Sequence, residues 1–545
     1  MTVIKRYSFW KLTVIIFTVA SLLIVPTIGS GANIKSEWRL GGQNLNNTRY
    51  QATEKYLSPA NVAQLSPKWV FTTGGDISAT PAVLDGAVYL PDWGGNLFKI
   101  DAQTGTQIWS NSIASYISDP SIPKAVSRTS PAIKGNKVII GSQEGAFLMA
   151  INKNTGELIW KTKLDDHPNA IITQSPAIYG NHVYVGVSSL EETVPSTDPN
   201  YPCCIFRGSM TAVNLTTGRI LWKTYTVPDN GGQPGGYSGA AVWGSTPAID
   251  PKRNLVYIAT GNNYDVPQTV KDCIANLSTP SDQSQCLDPN NHIDAIMALN
   301  LYTGAIKWSN KLQGYDASTL ACFPGFDPTN CPDPKGEDYD FGQAPMLFTV
   351  KNAGKRHDLV GAGQKSGIFW ALDPDTGKVV WSQIIGPGGP IGGIMWGSAT
   401  DDQQIYVANS NSLSQKHTLQ PSGETITGGS WSALDAATGK IIWQIADPGD
   451  KDAQPPTISP GGGAQAPMTV ANGVVYAGSM VAEQGVNNMY ALDAKTGEIL
   501  WKFNSGGSVV AGAAVVDGSV YWGSGYKRYG PTVSNNQFYA FTVLP

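Results

Sequence analysis

Along most of the chain, apolar residues come in short runs broken by tight polar punctuation, as in AVLDGAVYL (82–90), AIKGNKVIIG (132–141), AIYGNHVYVG (177–186) and AVVDGSVYWG (514–523). The runs have strand length, and Asp-Gly or Gly-Asn between two of them marks a hairpin turn. A second pattern lies between these hairpins. DAQTGTQIW (101–109), NKNTGELIW (152–160), NLTTGRILW (214–222), NLYTGAIKW (300–308), DPDTGKVVW (373–381), DAATGKIIW (435–443) and DAKTGEILW (493–501) each read Asp or Asn, two residues, Thr-Gly, three residues, Trp. The glycine supplies a turn with positive φ, and the tryptophan puts one large apolar body at a fixed place in every unit.

Hairpin plus Thr-Gly turn makes a unit of four antiparallel strands, the size of a propeller blade. Seven Thr-Gly-xxx-Trp copies are present, and Trp69 in SPKWVFTT stands ahead of the first. The last stretch, through NNQFYAFTV, supplies strands without a closing Trp strand. The pattern predicts an all-β, eight-bladed propeller of four-stranded antiparallel blades, its ring closed by the N-terminal Trp69 strand. A tryptophan repeated at one site per blade docks blade on blade, so function lies in what breaks the repeat.

Composition narrows the class. The 545 residues include 60 Gly, 16 Trp and 22 Tyr, with only 14% charged, so a large core is available and disorder is excluded. The net charge of −4 and pI near 5.8 show no basic footprint for nucleic acid or for a membrane surface. At the N-terminus Lys5, Arg6 and Lys11 precede an apolar run from Leu12 to Val25, followed by Ser30-Gly31-Ala32. This predicts a secretory signal over 1–32 with cleavage near Ala32, its alternative a retained N-terminal anchor. Residues 33–545 then form a single domain, periplasmic or secreted.

Export makes the six cysteines potential disulfides. Two spacings are local, Cys273 with Cys286 and Cys322 with Cys331, and Cys203 and Cys204 are adjacent, to pair with each other or elsewhere. There is no CxxCH for covalent haem and no CxxC or His cluster for zinc.

The repeat widens in the middle, to 86 residues between Trp222 and Trp308 and 73 between Trp308 and Trp381. These insertions carry both local cysteine pairs and GEDYDFGQAP (336–345), where Asp338 and Asp340 stand two residues apart. In extended chain such a pair projects from one face and repels unless a cation sits between.

WRLGGQNLNNTRYQATEKYLSPANVAQLSPKWVF, followed by the repeats, resembles the quinoprotein alcohol dehydrogenases, eight-bladed propellers that bind pyrroloquinoline quinone (PQQ) and a metal ion on the axis. SSLEE, CCIFRGSMTAVN and DYDFGQAP look most like the polyvinyl alcohol dehydrogenase branch. The resemblance implies a metal site of Glu191, Asn262 and Asp338, with Asp338 also the general base. Oxygen ligands of this kind suit Ca2+. Asp340 matches the extra ligand of lanthanide-dependent members, or else binds backbone or an arginine. For the cofactor, the resemblance implies Trp243 as the floor under the quinone, Arg128 on a PQQ carboxylate and Lys365 near the quinone oxygens, with Thr173 and Trp431 on the pocket wall. Many members carry adjacent cysteines shortly before the arginine, whereas here SIPKAVSR has none and the pair appears at Cys203-Cys204. The activity implied is metal-assisted oxidation of an alcohol, a secondary or polyvinyl-alcohol-like one, to a carbonyl. A separate acceptor, a cytochrome c, then takes the electrons. The rival readings are a non-catalytic propeller scaffold of the cell envelope and a quinoprotein acting on sugars or aldehydes.

Overall fold

The computed structural model describes residues 1–3, 36–352, 354–450, 463–480, 486–528 and 532–544. The signal expected over 1–32 lies almost wholly outside them, and no helix of the described residues is long and apolar enough to cross a membrane. Residues Ser36–Pro545 form one compact unit.

Eight small antiparallel sheets make the ring. Blade 1 runs Ala82–Leu84, Ala87–Pro91, Asn96–Asp101, Gln107–Ser112, and the next six repeat that order. Blade 8 takes three strands from the C-terminus and its outermost, Leu65–Thr72, from the N-terminus, paired antiparallel from Leu65 opposite Val543 to Thr72 opposite Gln537. The closure expected from Trp69 is therefore observed.

The repeat explains how neighbouring blades dock. Each Thr-Gly glycine has φ of 70–77°, and a Cβ added there would lie 2.4–2.9 Å from the repeat tryptophan of the preceding blade. Only glycine allows that approach, because an L-residue is strained at this φ and the indole fills the space its side chain would need. Except at Trp381, the indole N–H then donates to a carbonyl near the same turn, as Trp222 does to Leu301 at 3.0 Å and Trp308 to Pro374 at 3.0 Å. Trp501 closes the circle by donating to Leu65 at 2.9 Å.

A second feature encircles the axis. Residues 38–51 form a strap that bonds to the second residue of the innermost strand in seven of the eight blades. Trp38 pairs with Val83, Arg39 accepts from Ile133, Leu45 from Ile249, Asn46 from Leu347, Thr48 from Thr400 and Arg49 from Val470, at 2.7–3.1 Å. The Gln51 amide donates to Val515 at 2.9 Å. Gly41 is required here, since a Cβ would stand 2.6 Å from the Thr246 hydroxyl and 2.9 Å from Ser130.

Strand direction alternates within a blade, so the tight hairpin and the Thr-Gly turn share one rim, and the remaining loops share the other. All the long insertions, 190–208, 260–294, 312–345 and 410–429, belong to that other rim. Three disulfides brace them: Cys203–Cys204, Cys273–Cys286 and Cys322–Cys331.

Candidate active site

The 312–345 insertion turns back through GEDYDFG under control of one buried carboxylate. Asp316 accepts the backbone N–H of Asp338 at 2.9 Å and of Tyr339 at 2.7 Å. This holds Asp338 at φ 60°, a left-handed conformation that aspartate tolerates better than most residues. The two carboxylates of the motif converge on a cation, and that cation is a side chain. Lys365 Nζ donates to Asp338 Oδ1 at 2.7 Å and lies 3.7 Å from Asp340 Oδ2. All three residues are buried.

Asp340 is occupied with positioning. Its Oδ1 accepts the Asn262 backbone N–H at 2.8 Å and its Oδ2 accepts the Trp243 indole N–H at 2.8 Å. The sequence leaves Asp340 as an added metal ligand or as a group binding backbone or an arginine, and here it bonds to the Asn262 backbone and the Trp243 indole. Asn262 in turn donates its amide to Ser318 at 2.9 Å, while its Oδ1 is buried and finds no hydrogen-bond partner among the described residues.

The adjacent glutamates face different ways. Glu191, expected among the metal ligands, is turned into the cysteine loop: its oxygens accept from Ile205 N, Phe206 N and the Tyr201 hydroxyl at 2.7–3.1 Å. Burial pushes its pKa up, but the His167 imidazole, 3.3 Å away, and the two backbone N–H groups outweigh that and hold it below the usual value. Glu192 is the carboxylate that senses the acid cluster. Burial, then Asp340 and Asp316, push its pKa up to about 7, against the pull of Lys365. Burial and the neighbouring acids Asp340, Glu192 and Asp316 likewise raise Asp338. Burial works against the Lys365 ammonium, yet Asp338, Asp340 and Glu192 together keep it protonated. One ammonium among these acids leaves an excess of negative charge that suits a bound cation.

The aromatic wall also departs from expectation in one member. Trp243 meets Trp396 edge to face, with ring centres 5.6 Å apart, and the Arg128 guanidinium lies 4.5 Å over Trp396. Lys365 stands 5.6 Å over Trp243, and the Thr173 hydroxyl donates to the Trp243 carbonyl at 3.2 Å. Arg128, Thr173 and Trp396 line a cavity of about 50 Å³. Trp431 is not among them: it is fully buried against Tyr490 and its neighbours in the apolar core of blades 6 and 7. Trp396 takes the place expected of it, and the signal was present, because VWGS around Trp243 recurs as MWGS around Trp396. Cys203, Cys204 and Trp243 pack against one apolar cluster.

Residues 38–317 match the profile of the PQQ glucose/ethanol/alcohol dehydrogenase β-propeller domain. Residues 364–508 and 427–543 match that of the outer membrane protein assembly factor BamB. A polyvinylalcohol dehydrogenase of Pseudomonas sp. is 29% identical over 518 residues, 92% of this chain and 72% of the relative. The quinohemoprotein alcohol dehydrogenase ADH-IIG of Pseudomonas putida is 27% identical over 396 residues, 67% of this chain and 48% of the relative. The crystal structure of quinohemoprotein alcohol dehydrogenase from Comamonas testosteroni superposes with a TM-score of 0.66 at 21% identity, covering 93% of this chain and 80% of that one. A europium-containing methanol dehydrogenase gives 0.65 at 17% identity, with 93% and 98% covered. With the profile spanning half its length, the chain belongs to the PQQ-dependent glucose, ethanol and alcohol dehydrogenase family of β-propeller oxidoreductases.

Proposed function

We propose that this protein is an exported PQQ-dependent dehydrogenase that oxidises a secondary alcohol or a polyvinyl-alcohol-like substrate to a carbonyl. The observation that carries the reading is the convergence of Asp338, Lys365 and the unpartnered Asn262 oxygen beside Trp243. Among the described residues no three His, Cys, Asp or Glu side chains already stand at metal-ligand spacing. The donor set is nonetheless hard and oxygen-rich once the Asn262 amide is counted, and it fits Ca2+. Asn262 Oδ1, Asp338 and Glu192 would hold the ion, with Asp340 fixing Trp243 and Asn262 in place. Glu192 replaces Glu191 in this set because Glu191 is engaged by the cysteine loop.

When bound, PQQ would supply a two-electron hydride acceptor and the ion would supply Lewis-acid positive charge. The chain does the rest. Asp338 accepts the hydroxyl proton on its carboxylate. The Lys365 ammonium holds that carboxylate in line and stabilises negative charge developing nearby. Trp243 offers a flat face for a planar ring, and Arg128 a guanidinium fork for a carboxylate. The electrons leave to a separate acceptor, a cytochrome c, because the sequence carries no CxxCH. Three disulfides support a periplasmic or secreted location.

Dye reduction by the purified protein tests the reading, with PQQ, a panel of primary and secondary alcohols, sugars and aldehydes, and Ca2+ compared with La3+. Turnover that requires both PQQ and an ion is expected, fastest on secondary alcohols with Ca2+. Faster turnover with La3+ would make Asp340 a ligand after all. No turnover and no retained PQQ would leave the scaffold reading favoured by the BamB-like match.

A further inference from the structure

Arg49 is a buried cation for which no described residue supplies a counter-charge. It sits in the axial strap, 2% exposed. Its Nε donates to the Met468 carbonyl at 2.9 Å, Nη1 to the Gly41 carbonyl at 2.9 Å and Nη2 to the Thr80 hydroxyl at 2.8 Å. None of these partners is a carboxylate, and burial alone pulls its pKa down to about 9. A guanidinium has five N–H donors, so two remain unengaged by the described residues. It gives up its proton reluctantly, so a site like this is satisfied by taking in an anion rather than by deprotonating.

The place for that anion is visible. Arg49 lines the same cavity of about 50 Å³ as Arg128 and Trp396, with Thr80, Thr173 and Ser245 among the hydroxyls around it. Among the described residues the two arginines are its only charged lining. Among the described residues Arg128 stacks on Trp396 without an ion pair, and the Trp396 indole N–H is buried without an acceptor. The volume is larger than one water needs, and carboxylate oxygens can enter it beside each of the two arginines. Through Trp396 and Trp243 the cavity adjoins the acid cluster.

We infer that Arg49 is a second cofactor-anchoring residue, which binds one carboxylate of the planar tricarboxylate PQQ while Arg128 binds another. The inference rests on PQQ being the cofactor. It makes the N-terminal strap part of the binding site as well as part of the fold. It also requires a planar, doubly donating group at position 49, which lysine cannot supply.

PQQ binding to the calcium-loaded apoprotein, followed by quenching of tryptophan fluorescence without substrate or dye, tests this. R49Q is expected to weaken PQQ roughly 30-fold, the scale of a charge-assisted fork contact, and R49K at least about fivefold. Circular dichroism reports folding of each variant, and if R49Q fails to fold, R49K decides. Wild-type affinity in a folded R49Q or R49K, with R128Q weakened, would overturn the inference and leave the cofactor reading standing. A wild-type protein that binds no PQQ would remove both. A lower melting temperature with unchanged affinity would show Arg49 to be a strap tie only.

Discussion

At the scale of single residues, the two adjacent glutamates make opposite predictions. Glu192→Gln should leave the melting temperature near wild type and cut calcium-dependent turnover by roughly 100-fold, as expected when a ligand charge is lost. Glu191→Gln should instead destabilise the protein by about 2 kcal/mol, because charge-assisted bonds to the cysteine loop are weakened. Chemical unfolding and a calcium titration on both variants check this, and swapped phenotypes would return the ligand role to Glu191. Asp338→Ala should still fold, bind PQQ and lose turnover by at least about 1,000-fold, as the base is removed. His292 gives a pH prediction. Burial, helped by Lys311 and opposed by Asp288, lowers its pKa to about 4 from 6.5. The unfolded chain therefore takes up a proton below about pH 6.5 that the folded chain refuses until about pH 4, so stability falls with pH across that window, by about 3 kcal/mol in full. His292→Gln should flatten the dependence, read as the change in urea midpoint between pH 7 and pH 5. The residue types of the site were legible in the sequence, but their directions were not. In SSLEE the choice between Glu191 and Glu192 depends on a short helical turn, Leu190–Glu192, which no spacing rule resolves. Trp431 was misjudged for a related reason: its strand buries both faces, so position in the blade decided its surroundings.

At the scale of elements, the Thr-Gly-xxx-Trp unit was read correctly because its physics is local. One turn needs glycine and one indole covers it, so the same letters recur wherever the contact recurs. Gly304→Ala should cost about 2 kcal/mol, combining the strain of positive φ with a Cβ 2.5 Å from the Trp222 ring. Trp222→Phe should cost a similar amount by losing the Leu301 bond and part of the packing. If the contact is shared, the double variant costs less than the sum, and a urea-unfolding cycle measures the difference. The insertions resisted reading because their form is set by distant partners. Asp316 organises the Asp338 loop from 22 residues away in sequence, and nothing around it repeats.

At the scale of the molecule, eight blades and their N-terminal closure followed from counting, whereas the strap did not. Its bonds are made mostly by backbone, so no side-chain pattern announces them. Removing residues 36–51 should lower the melting temperature by roughly 10 °C or more, since contacts to seven inner strands go at once. A truncation that melts like wild type would show the strap to be ornamental.

The strap also bears on the order of assembly. Its last residues find partners far along the chain, with Gln51 and Val515 464 positions apart. A propeller of this design cannot be completed one blade at a time as it emerges. The loop entropy of the whole polypeptide must be met before the final bonds form, which predicts slow, all-or-none refolding. It also leaves the chain a wide interval in which it is still unfolded and open to other partners.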